Sequence, residues 1–73
     1  VRLTRAQRRE LLREGRAFKE RHRGYADETA DYLIGLMFER ERAGTLQLRY
    51  DDPIEVSDYA YGMAHWVHAG QIF

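Results

Sequence analysis

Apolar and polar positions recur along this chain with two different periods, and the switch between them marks out its elements. From Thr4 to Arg23 the residues are mostly Arg, Glu, Leu and Ala, good helix formers interrupted only by Gly15. Thr4 and Gln7 have capping-box spacing, so the first helix starts at Thr4, and Gly24 supplies its stop. At about 100° per residue, Leu11 and Phe18 align with Gln7, Gly15 and His22 in a narrow apolar seam. Arg5, Arg9, Arg13, Arg16 and Arg23 gather on the far side, flanked by Arg8 and Lys19.

The second helix is expected from about Asp27, as N-cap, to Arg42, with Gly44 just past its end. Ala30, Tyr32, Leu33, Ile34, Leu36, Met37 and Phe38 cover more than half its circumference, leaving Glu28, Asp31, Gly35, Glu39 and Arg42 as a polar strip. A helix apolar most of the way round belongs at the centre of its fold or is shared with a second subunit.

From Thr45 to Tyr50 the period becomes two, with Leu46, Leu48 and Tyr50 on one side and Thr45, Gln47 and Arg49 on the other. That pattern predicts a half-buried strand. Asp52-Pro53-Ile54-Glu55 reads either as a capping box with proline at the first helical position or as an irregular turn. A helix begun at Ile54 turns that residue away from the apolar face set by Val56 and its successors. An extended Ile54-Glu55-Val56 puts both aliphatics on one side, paired with residues 46–50, and is the preferred reading.

Ser57 then caps a last helix to about Ala69, stopped by Gly70, with Ile72 and Phe73 folding back. Its core stripe is Val56, Tyr59, Ala60, Met63, Trp66, Val67 and Gly70; Asp58, Tyr61, His65 and His68 lie opposite. Together these elements predict a mainly α, α+β fold class, one small globular domain over residues 1–73. It has three helices, with a short β-hairpin between the second and third.

Composition supports a globular chain: 44% of the 73 residues are hydrophobic and 33% charged, with one proline. Having no cysteine excludes disulfides, thiolate metal cages and a cysteine nucleophile. The longest apolar run, residues 32–38, contains Gly35 and falls far short of the about 20 residues a membrane span needs. With no signal-peptide pattern either, a cytoplasmic protein without a membrane partner is expected.

Net charge is zero, yet residues 1–24 carry +6 and residues 25–73 carry −6. The molecule therefore has a large dipole. Its basic residues before Tyr25 are arginine except Lys19, the type suited to forked contacts with carboxylate or phosphate. Arg5, Arg9, Arg13 and Arg16 repel one another at helical spacing, a cost with no evident structural return. Weak pairs Glu10–Arg13, Arg16–Glu20 and Glu20–Arg23 are the competing, purely structural use of that face.

Catalytic chemistry has little to work with. Ser57, the only serine, is accounted for as a cap, and no nucleophile elbow, phosphate loop or HExxH occurs. His65 and His68 at i,i+3 suit a metal only if Asp58 or His22 joins them, so no metal and no cofactor are expected. Tyr61, His65 and His68 form a possible second contact surface instead.

The expected function is non-enzymatic: a small accessory or regulatory protein. Its arginine face (Arg5, Arg8, Arg9, Arg13, Arg16, Lys19 and Arg23) binds the acidic surface of a protein partner or of a second copy. DNA or RNA, held through the phosphate backbone by the same residues, is the alternative. The thin core, and Leu12, Met37 and Phe38, which cannot all be buried in one copy, make a homo-oligomer expected.

Overall fold

The computed structural model describes residues 1–69 as three α-helices: α1 (Arg5–His22), α2 (Ala26–Arg42) and α3 (Ile54–His68). The start of α1 is the capping box read from the sequence. The Gln7 amide donates to Thr4 Oγ1 at 3.1 Å, and the Thr4 amide donates to Gln7 Oε1 at 2.9 Å. At its other end Arg23, not Gly24, takes the left-handed conformation, with φ 52°. Gly24 serves the next helix instead, because the Glu28 carboxylate fills the space where its Cβ would stand. From there that carboxylate accepts the Tyr25 amide at 2.7 Å. So α2 is capped two residues earlier than expected, at Tyr25, and Asp27 lies inside its first turn rather than capping it.

The exit from α2 follows the glycine rule. Gly44 sits at φ +79°, the Gly44 amide donates to the Glu41 carbonyl at 3.0 Å, and the Thr45 amide to the Arg40 carbonyl at 2.9 Å. This is a Schellman motif, and it turns the chain back along the helix.

No strand follows among the described residues, and the expected β-hairpin is not formed. The period-two pattern still does its work without a ladder: Leu46 and Leu48 are buried while Gln47 and Arg49 are exposed. Beyond them the capping reading of residues 52–55 wins. Asp52 Oδ1 accepts the Ile54 amide at 3.0 Å, and Glu55 Oε2 accepts the amides of Asp51 and Asp52 at 3.2 and 3.3 Å. The third helix therefore starts at Ile54, leaves that side chain 61% exposed, and carries Ser57 within its first turn rather than as a cap.

The core lies where the three helices and the 46–50 segment meet, around Leu11, Leu33, Met37, Leu46, Leu48, Val56, Ala60 and Met63. The central place of α2 is as expected. Its polar strip of Glu28, Asp31, Gly35, Glu39 and Arg42 faces solvent, and Ala30, Leu33 and Met37 are fully buried. Met37 and Phe38 do not remain as surplus apolar surface, because Phe38 packs edge-on against Tyr50, with centroids 6.1 Å apart. Trp66 is the reverse case: expected in the core, it is 45% exposed. The stop at Gly70 and the fold-back of Ile72 and Phe73 lie outside the described residues.

Gly15, buried in α1, faces both of the other helices. A Cβ there would stand 3.4 Å from Leu33 Cδ1, 3.5 Å from Val67 Cγ2 and 3.7 Å from Thr29 Cγ2. One methyl group fits this space in van der Waals contact; a branched side chain does not. Gly15→Ala should raise stability by up to about 1 kcal/mol through helix propensity. Gly15→Val should lower it by about 1–3 kcal/mol through overpacking, both read by urea denaturation. An alanine variant less stable than the glycine protein would refute this account of the helix contact.

Candidate functional site

The outer face of α1 is set by which of its carboxylates the rest of the fold takes away. Glu10 and Glu14 lie on the side of α1 that meets α2, and Arg40 of α2 reaches both, at 3.5 Å each. The Tyr32 hydroxyl donates to Glu14 at 3.2 Å. Glu10 is thus engaged with Arg40 instead of Arg13, and Glu20 pairs with neither Arg16 nor Arg23.

Among the described residues no ion pair or hydrogen bond engages the side chains of Arg5, Arg8, Arg9, Arg13, Arg16 or Arg23. All six are exposed. Arg5, Arg9, Arg13 and Arg16 stand together on one line, and Arg9, Arg13 and Arg16 border, with Glu10, a shallow depression beside Ala6.

Lys19 does not belong to this face. Its Nζ donates to the Val67 carbonyl at 3.4 Å, near the end of α3, and the side chain is half-buried there. Arg21 also turns aside, its guanidinium carbon 5.9 Å from the ring centroids of both Phe18 and Tyr32. Those two rings stack at 4.5 Å, and His22 stacks on Phe18 at 4.2 Å.

The possible second surface on α3 is divided. Tyr61 and His65 are exposed, but His68 turns inward, where its Nε2 lies 2.6 Å from Thr29 Oγ1 on α2. Thr29 is 1% exposed, so this hydrogen bond satisfies a buried hydroxyl. His65 and His68 therefore do not converge, and the described residues hold no cluster of three or more His, Asp or Glu able to bind a metal.

One feature of the surface was not foreseen from the sequence. Between α1 and α3 lies an open cleft of about 350 Å³, lined by Arg8, Leu12, Tyr59, Gly62, Met63 and Trp66. A Cβ on Gly62 would meet nothing within 4 Å, so the α3 bank of the cleft is bare at that position. Leu12 carried a signal of it, since it stands off the Leu11–Phe18 seam. Around the axis of α1, Leu12 is only about 20° from Arg5 and about 40° from Arg16, which makes the cleft and the arginine face contiguous.

No described helix is long and apolar enough to cross a membrane. Thr29→Val keeps the shape of the buried side chain but removes its hydroxyl, leaving the His68 ring without that partner. Stability should fall by about 1–2 kcal/mol, measured by thermal or urea denaturation. An unchanged midpoint would mean that the contact contributes nothing. Comparison of the chain with protein-family models, with curated proteins and with solved structures finds no match.

Proposed function

We propose that this protein is a non-enzymatic accessory or regulatory protein that binds an acidic protein partner along α1. The observation that carries the reading is the contiguity of two surfaces. A row of unpaired arginines borders an apolar cleft edged by tyrosine, methionine and tryptophan. Arginine, methionine and aromatic residues are the types enriched where proteins meet. Arg5, Arg9, Arg13 and Arg16 supply charge, and Leu12, Tyr59 and Met63 supply an apolar seat beside them. Tyr61 and His65 remain a second contact surface in this reading, without His68.

Nucleic acid is the second reading, favoured by the same unpaired guanidinium groups, which fork onto phosphate as readily as onto carboxylate. It leaves the cleft without a role. No Asn, Gln or Ser stands among the arginines of the arc to read base edges, so such binding is nonspecific.

Fluorescence titrations separate the two. An acidic amphipathic helical peptide should bind, and Arg9→Glu with Arg13→Glu should weaken it at least about tenfold. Duplex and single-stranded DNA and RNA should show no binding at about 200 mM salt, having bound weakly at most at about 50 mM. Tight nucleic-acid binding that the same double substitution abolishes, with no response to the peptide, overturns the proposal.

A further inference from the structure

The face shared by α1 and α3 is complementary to itself. The two helices run in parallel along it. Arg8 and Tyr59 flank the cleft at one end, while Gly15 lies against Val67 and Lys19 reaches the Val67 carbonyl toward the other. In this register Arg5 stands level with the first turns of α3. One bank of the cleft is basic, with Arg5 and Arg8. The other bank carries the exposed Asp58 at the same level, followed by Tyr59 and Gly62; Glu55 beside it is already held by the Val1 ammonium at 3.5 Å and by the amides of Asp51 and Asp52. The apolar seam of Leu12, Tyr59 and Met63 runs between the banks.

A two-fold axis parallel to the helices superposes the basic bank of one copy on the acidic bank of the other. An axis across the helices would set arginine against arginine. Symmetry and charge thus select a single arrangement of the kind most soluble oligomers adopt.

We infer that the α1/α3 cleft is the seam of a two-fold homodimer, in which Arg5 of each copy meets Asp58 of the other and the Leu12–Tyr59–Met63 strips close on each other. This rests on reading the cleft as a protein-contact surface and names its occupant as a second copy. The bare helical position at Gly62 fits that role. In the single chain it gives up helix propensity with no neighbouring atom to require it. In the dimer it lets the opposing copy approach. Arg9 and Arg13, farther around α1, stay outside the seam, and an acidic partner seated in the cleft competes for it with the second copy.

The seam is short, and interfaces below about 1,200 Å² are of the weak, reversible class, so the dimer is concentration-dependent. Sedimentation equilibrium from about 5 to 500 µM should show a monomer passing to a dimer and no higher species. Gly62→Gln builds up the α3 bank of the cleft, where the second copy would approach, while improving the helix. It should remain monomeric throughout and melt at a higher temperature than the parent, which excludes misfolding as the cause.

Arg5→Glu alone and Asp58→Arg alone should each weaken the dimer about tenfold, and the two together in one chain should restore it to within about threefold of the parent. A chain monomeric at every concentration overturns the inference. If truncation after Ala69 then produces the dimer, the occupant of the cleft is the chain's own last residues. Dimerisation unaffected by Gly62→Gln, or not restored by the charge swap, overturns it as well, by placing the contact elsewhere. Binding of the acidic peptide through Arg9 and Arg13 is measured separately. A monomer that still binds it loses only the self-pairing; a monomer that does not loses the protein-contact reading too.

Discussion

The reach of Arg40 across to Glu10 and Glu14 governs how charge is distributed over this molecule. Neither ion pair is worth much to stability: at 3.5 Å, between side chains a quarter to a half exposed, each contributes about 0–1 kcal/mol. Their consequence is directional. Both carboxylates, and the Tyr32 hydroxyl that donates to one of them, hold the acidic side of α1 against α2. The other side is left with arginines, with Glu20 and the half-exposed Glu10 at its border as the only carboxylates of α1 near them. A weak interaction thus fixes the arrangement of a strong field, and the argument for an outside partner follows from that arrangement.

The fold was legible wherever a single local rule decided the outcome. The Thr4–Gln7 box, the Gly44 exit and the polar strip of α2 each depend on residues within a turn of one another. Leu46 and Leu48 were legible as buried, because alternation reports which face meets the core whether or not a second strand pairs with it. The hairpin failed because residues 52–56 satisfied two rules at once. Extending the chain would have hidden Ile54, a gain of about 1.5–3 kcal/mol at full burial. Closing the turn secures three hydrogen bonds from the amides of Asp51, Asp52 and Ile54, gives Pro53 a conformation it already prefers, and begins the helical ladder early. Val56 is buried on the helical course too, so only Ile54 bears the cost.

The site was legible in its charge and illegible in its shape. Spacing alone put Arg5, Arg9, Arg13 and Arg16 on one side of a helix. It could not tell that Lys19, some 40° from Arg5 around the axis, is close enough to α3 to be captured by the Val67 carbonyl. Nor could it tell that His68 would find Thr29 on another helix while His65, three residues earlier, would not. The cleft was hidden by an over-wide core stripe. From Trp66 to Ala60 that stripe spans about 120° of α3, and two neighbouring helices close over its middle and leave its edge bare. Val56, Ala60 and Val67 lie in the covered part; Trp66 lies on the edge.

The arginine row and the cleft differ in what each is able to contribute. Like charges at i,i+3 and i,i+4 cost about 0.2–0.5 kcal/mol per pair, so relieving the repulsion along the row recovers on the order of 1 kcal/mol, less as salt screens it. That amount alters an affinity by a factor of five or so and does not create one. What a row of exposed guanidinium groups does provide is a field that accelerates encounter with an acidic surface and rejects a basic one. Residence on the protein has to come from removing apolar surface from water, and among the surfaces described here the cleft beside Leu12 is contiguous with the row. The row therefore selects the partner and sets how fast it arrives, while the cleft determines how long it stays.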